Sequence, residues 1–159
     1  WGEPQPDGRA QGIACCNDGG TVVAEVAQIS LDQESGRIRV HRVVAAVDPG
    51  RAINPDGARA QTEGSVVMGT SAALLEEITI QDGRVQAGNF DRYPLIRMAE
   101  APEVETILLE APDGKPRGLG EPPLGPIAPA IGNALFALTG VRLRRLPMTP
   151  ERIKAELTA

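Results

Sequence analysis

Thr21-Val-Val-Ala-Glu-Val-Ala-Gln-Ile-Ser-Leu-Asp-Gln-Glu-Ser-Gly-Arg-Ile-Arg-Val-His-Arg-Val-Val-Ala-Ala-Val47 places two apolar runs on either side of a polar turn. In the first run Val22, Ala24 and Val26 share one parity while Ile29 and Leu31 share the other, which predicts a strand with a bulge near Ala27. Asp32-Gln-Glu-Ser-Gly36 has turn chemistry, so the chain reverses there. The returning run alternates from Arg37 to Val40 and is continuously apolar from Val43 to Val47, the pattern of a strand passing from a half-exposed edge into a buried position. Asp48-Pro-Gly50 stops it.

Outward from this hairpin the pattern changes to helices. Asn54-Pro-Asp56 joins a capping side chain, a proline suited to the first helical position and an acid favoured by the helix dipole, so a helix should run to about Leu75. Its interior holds Ala58, Ala60, Gly64, Gly69, Ala72 and Ala73, small residues that cost propensity but permit close approach to a neighbour. Ile78-Thr-Ile80, Asp82-Gly83 and Arg84-Val85 read as a second, short hairpin with a primed turn. Glu103-Val-Glu-Thr-Ile-Leu-Leu109 reads as a strand leading into a loop over 111–120. The clearest helix follows, with Ile127, Ala130, Ile131, Ala134, Leu135 and Leu138 on one face, Pro126 and Pro129 at its start and Gly140 at its stop. Thr149-Pro150 opens a short terminal helix through Leu157. Residues 1–12, rich in Gly, Pro and polar side chains, read as a lead-in loop. Hairpins with two longer helices and a short C-terminal one define an α+β fold, read as a single domain over 1–159.

Composition narrows the chemistry. A chain of 159 residues can bury a core, and with Trp1, Phe90, Tyr93 and Phe136 as its only aromatic residues that core must be aliphatic. The net charge of -5 gives no basic footprint for nucleic acid. Arg142, Arg144 and Arg145 read as a solvated strand end or local salt-bridge partners. No stretch approaches a membrane span, and no charged region precedes an apolar one at the start. Cys15 and Cys16 are adjacent and have no other thiol to pair with, and the sole histidine, His41, reads as an exposed strand residue. Metal coordination by side chains and nucleophilic triads within this chain are therefore disfavoured.

One loop stands apart. Gly118-Leu-Gly-Glu-Pro-Pro-Leu-Gly-Pro-Ile-Ala-Pro-Ala-Ile131 sets a single carboxylate, Glu121, between flexible glycines and rigid prolines, just ahead of the apolar-faced helix. Such a loop is suited to aiming a side chain. Gln61 lies one turn before Gly64 and Ser65, where its amide could reach toward a bound group or stand as an ordinary exposed helix residue. Glu76 and Glu77 offer an alternative acid or base partner for Glu121, or simply a solvated helix end.

Asp48-Pro-Gly-Arg-Ala-Ile-Asn-Pro-Asp56, Gln61-Thr-Glu-Gly64, Gly118-Leu-Gly-Glu-Pro-Pro123, Pro129-Ala-Ile-Gly-Asn-Ala134 and Leu146-Pro-Met-Thr-Pro150 together resemble the C-terminal part of the molybdopterin-binding large subunit of molybdenum hydroxylases, the family of xanthine dehydrogenase and aldehyde oxidoreductase. Asn89-Phe-Asp-Arg-Tyr-Pro94 and Glu100-Ala-Pro-Glu103 are most similar to its isoquinoline 1-oxidoreductase beta-subunit branch. The resemblance implies oxidative hydroxylation of an aldehyde or N-heterocycle, with Glu121 as general base and Gln61 contacting the pterin cofactor. It implies molybdopterin, in the cytosine dinucleotide form, and no metal ligand from the protein. It further implies partners: the remainder of the molybdenum subunit, and an iron-sulfur subunit carrying 2Fe-2S clusters. Family large subunits are several times longer, so the chain is expected to be inactive alone. Its length leaves open a second reading, a truncated domain that folds and self-associates without cofactor.

Overall fold

The computed structural model describes residues 2, 5, 6, 8–109 and 114–158. It bears out the α+β class. A four-stranded sheet is ordered β1-β2-β3-β6, formed by β1 (Arg9–Asp18), β2 (Thr21–Asp32), β3 (Arg37–Asp48) and β6 (Glu103–Leu108). The first three strands are antiparallel neighbours; β6 joins β3 in parallel, which requires a crossover. That crossover contains helix α1 (Pro55–Leu74) and a separate two-stranded hairpin, β4 (Ile80–Gln81) and β5 (Arg84–Val85). Helices α2 (Ile127–Thr139) and α3 (Pro150–Leu157) complete the chain.

The helix boundaries follow local chemistry. Asn54 caps α1 by accepting from Gly57 N–H at 3.1 Å, and Thr149 caps α3 by accepting from Arg152 N–H at 3.4 Å. Gly140, at φ 73°, ends α2 in the left-handed conformation that glycine adopts without steric cost. Asp82 and Gly83 both have positive φ, the requirement of the expected primed turn. Part of the expected loop over 111–120 falls outside the described residues, as does Trp1.

Three expectations need correction. The lead-in loop is shorter than residues 1–12, because Arg9 already opens β1. Polar and small side chains conceal the alternation of that strand. Second, β2 runs without interruption: Thr21, Val23, Glu25, Ala27 and Ile29 are all buried, and the irregularity lies opposite Gln28 and Ile29, whose partners Arg42 and Val40 skip His41. The extra residue belongs to β3, where burial switches from Ile38 and Val40 to Val43, Ala45 and Val47. His41 is accordingly half-buried, with Nε2 at 2.8 Å from Ser30 Oγ. Third, residues 141–145 form no strand; Arg142 instead covers the Phe136 ring at 4.0 Å and donates to Asn133 Oδ1 at 2.5 Å.

The core is aliphatic, as composition requires. Val23, Ile29, Val43, Val47 and Val66 meet Ile127, Ile131 and Leu135 in one cluster between the sheet and the helices, while Phe90 is 82% exposed. Glycine sets two of the closest approaches. A Cβ on Gly12 would stand 2.2 Å from Ala130 O and Ala134 N, so β1 lies directly on the backbone of α2. A Cβ on Gly69 would stand 2.3 Å from Ile127 Cγ2, which brings α1 against α2. The small residues of α1 therefore serve close contact at Gly69 but not at exposed Gly64, which has no neighbour within 4 Å.

Candidate active site

Residues 118–125 look like surface loop and are fixed like core. Pro122 and Pro123 bring no N–H donors, and nearby carbonyls need partners from elsewhere. Three elements supply them. Thr21 Oγ1, at the head of β2, donates to Gly118 O at 2.7 Å. Ser65 Oγ, on the buried side of α1, donates to Gly120 O. Cys16 Sγ, on the inner face of β1, donates to Pro122 O at 3.3 Å. Leu124 N–H closes onto Glu121 O at 2.8 Å, forming the 3-10 turn Pro122–Leu124, whose two prolines are buried.

The approach to this loop is fixed as well. Arg117 N–H donates to Pro49 O at 2.8 Å. Gly50, at φ 72°, passes so near the chain that a Cβ there would stand 1.8 Å from Lys115 O, which only glycine can accommodate.

Glu121 heads the 3-10 turn with ordinary helical angles, φ -87° and ψ -43°. Its side chain is exposed, and among the described residues its carboxylate has no hydrogen bond or ion pair. The 3-10 turn, Gly125 and Pro126 separate it from α2, so the carboxylate does not sit directly on that helix's N-terminus as its position in sequence suggests. Gln61 is exposed on α1, and its Nε2 lies 3.3 Å from where a Cβ on Gly120 would be. Gln61 and Glu121 thus flank Gly120. Neither Gly118 nor Gly120 has positive φ, and the glycine at 120 matters for the room it leaves the Gln61 amide.

The alternative acids lie elsewhere and are engaged. Glu76 Oε2 accepts from Tyr93 Oη at 2.8 Å, and Glu77 Oε1 pairs with Arg152 Nη2 at 2.6 Å, both beyond the far end of α1. An apolar cavity of about 280 Å³, lined by Arg37, Ile38, Val40, Leu74 and Met148 among others, is likewise remote: it includes neither Glu121 nor Gln61. Among the described residues no three His, Cys, Asp or Glu side chains cluster to hold a metal ion.

One carboxylate escapes the sequence reading altogether. Glu25 is 0% exposed on the inner face of β2, and neither of its oxygens has a hydrogen-bond partner. Burial raises its pKa to about 8, so it is a neutral acid at pH 7. The Cys16 thiol is also raised, by burial first and then by Glu25, Asp18 and Cys15, which suits its role as an S–H donor. Apolar periodicity gives no signal for it, because the buried series Thr21, Val23, Glu25, Ala27 and Ile29 is less apolar than the outward Val22, Ala24 and Val26.

The α+β domain thus presents, among its described residues, an unpartnered carboxylate beside an exposed amide. The chain belongs to the molybdopterin cofactor-binding domain family, whose profile matches residues 9–102. It is 38% identical over 143 residues to the beta subunit of isoquinoline 1-oxidoreductase from Brevundimonas diminuta, a match that spans 90% of this chain and 18% of that protein. It is 37% identical over 139 residues to a nicotinate dehydrogenase subunit of Pseudomonas putida, across 87% of this chain and 12% of that one. The fold superposes on quinoline 2-oxidoreductase from Pseudomonas putida 86 with a TM-score of 0.79 at 25% identity, covering 87% of this chain and 19% of the other. The chain therefore spans less than one fifth of the length of these relatives. It is a molybdopterin-binding domain of the molybdenum hydroxylase type.

Proposed function

We propose that this chain is one part of a molybdenum hydroxylase that oxidatively hydroxylates an aldehyde or an N-heterocycle, contributing Glu121 as general base and Gln61 as a contact to the pterin cofactor. The observation that carries the reading is Glu121 itself: a solvent-facing carboxylate with no protein partner among the described residues, on a loop whose carbonyls are held from β1, β2 and α1. Glycine at 120 supports the cofactor contact, because a side chain there would stand 3.3 Å from the Gln61 amide that the reading places on the cofactor.

When bound, the molybdenum cofactor supplies the two-electron redox chemistry. The chain's own part is acid–base and geometric. A Glu121 oxygen would take the proton of the attacking oxygen nucleophile as the new carbon–oxygen bond forms and the substrate's carbon–hydrogen bond breaks, the two electrons of that bond going to the redox chemistry the cofactor would supply, while Thr21, Ser65 and Cys16 hold the Glu121 loop through its backbone carbonyls. Gln61 orients the cofactor through its side-chain amide. Relatives named for isoquinoline and nicotinate stand beside relatives named for aldehydes, so the reading keeps both substrate classes.

The same reading assigns the cytosine dinucleotide form of molybdopterin, a single domain corresponding to the C-terminal part of a large subunit, and two partners: the rest of that subunit and an iron-sulfur subunit with 2Fe-2S clusters. Cys15 and Cys16 are adjacent and cannot themselves hold a cluster. The test is Glu121→Gln in the assembled enzyme with molybdenum content measured. Turnover should fall by about 10²–10⁴-fold at unchanged metal loading. Undiminished turnover in the loaded variant overturns the assignment.

A second reading is a domain that folds and self-associates without cofactor. The half-exposed apolar outer face of the sheet favours it, with Val22 at 46% exposure beside Ala24, Val26 and Val44. Stoichiometric molybdenum in protein purified from its source excludes this reading.

A further inference from the structure

Ala14, Glu25, Ala45 and Thr106 are successive partners across β1, β2, β3 and β6, forming one row on the inner face of the sheet. Within that row both Glu25 carboxylate oxygens and Thr106 Oγ1 are buried without a hydrogen-bond partner. The two alanines flanking Glu25 leave its side chain lateral room, but no partner. An ionised carboxylate is costly to bury in such a place, so the neutral acid is favoured.

The loop carrying Glu121 rests on this same floor. Thr21, on the same face of β2 as Glu25, holds Gly118 O, and Cys16, whose thiol senses the Glu25 charge, holds Pro122 O. Among the described residues no cationic side chain offsets the burial that raises Glu25. β1 presents Cys16, with Asp18 at the strand end; β3 presents Val43, Ala45 and Val47; α2 contains no ionisable residue; and the buried side of α1 presents Thr62, Ser65 and Val66. At the loop the ionisable groups are Glu121, also acidic, and Arg117, whose guanidinium lies against Gly20 just ahead of β2.

We propose that Glu25 is a positioning residue for Glu121: as a neutral acid it lets the inner face of β2 seat the 118–125 loop, and on ionising it loosens that seat. The folded-state value near 8 places the transition just above neutrality. The proposal rests on reading Glu121 as the functional carboxylate, but its test involves neither activity nor cofactor.

The reporter is the Leu124 amide, which donates to Glu121 O, with the Gly140 amide at the other end of α2 as reference. Amide exchange is measured by NMR on the full 159-residue chain and corrected for the intrinsic pH dependence. Protection at Leu124 should fall about tenfold or more as pH rises through about 8, while Gly140 changes by less than about twofold. In Glu25→Gln, a neutral isostere, the Leu124 profile should be flat. A flat profile in the wild type, or an equal fall in Glu25→Gln, overturns the proposal. Should Glu25→Gln fail to fold, the 13C carboxyl shift of Glu25 in the wild type decides: a protonated group at pH about 6 with a midpoint coinciding with the Leu124 change supports it, and an ionised one at that pH overturns it. A full-rate Glu121→Gln enzyme alongside the expected Leu124 behaviour would remove the catalytic reading while leaving the seating of the loop by Glu25 supported.

Discussion

Moved one position along β2, Glu25 would sit among the half-exposed outer residues and be an ordinary ionised glutamate; on the inner face it is fully buried. The sign of the resulting pH dependence follows from linkage. Below about pH 4.5 the group is protonated in both folded and unfolded chains, and its stabilising contribution is fully present. Between 4.5 and about 8 the unfolded chain has lost the proton and the folded chain retains it, so stability declines by about 1.4 kcal/mol per pH unit until the folded group also ionises. His41 acts oppositely: burial first, then Arg9 and Arg39, lower its pKa, so its contribution is lost as pH falls below 6.5. The interval from 6.5 to about 8 isolates Glu25, and there urea denaturation of Glu25→Gln should show the wild-type slope abolished. Glu121 is legible as a candidate because it stands in a proline- and glycine-bounded loop, whereas Gln61, within α1, becomes one only through the motif it shares with the family. Glu25 is not, since a glutamate among alternating valines and alanines reads as the outward residue, and here the outward series Val22, Ala24 and Val26 is the more apolar one.

Among the elements, helices are the most legible, because their caps and apolar stripes are local features. Asn54, Thr149 and Gly140 each act where their chemistry predicts. Strand β1 is hidden because its inner positions are Gly12, Ala14 and Cys16, small residues selected by the nearness of α2 rather than by strand propensity. Gly12→Ala should therefore destabilise the fold by about 1–3 kcal/mol or more, since backbone atoms of α2 must retreat, as a lowered denaturation midpoint would show. Gly64→Ala, on the open side of α1, should raise that midpoint, by up to about 1 kcal/mol. Ser65→Ala removes the donor to Gly120 O and should cost about 1 kcal/mol while increasing amide exchange at Leu124.

At the scale of the molecule, the sheet has one face closed by helices and one left open. Ile13 and Ile107 add exposed apolar surface at its two edges, and Ile53 and Met68 add more near and on α1. Alone in solution the chain should associate with itself and bind an apolar dye; a monodisperse monomer in sedimentation with no dye binding would contradict this. Sequence patterning conveys the two-layer design but not its open side, because half-buried valines on an outer face look the same whether solvent or another body covers them. The ties to the 118–125 loop have a temporal consequence. Thr21, Ser65 and Cys16 reach it across 97, 55 and 106 residues of chain. All three donors precede the loop in the chain, so in a growing polypeptide the groups that hold it are made before it is, and a damaged chain lacking one of them loses that tie.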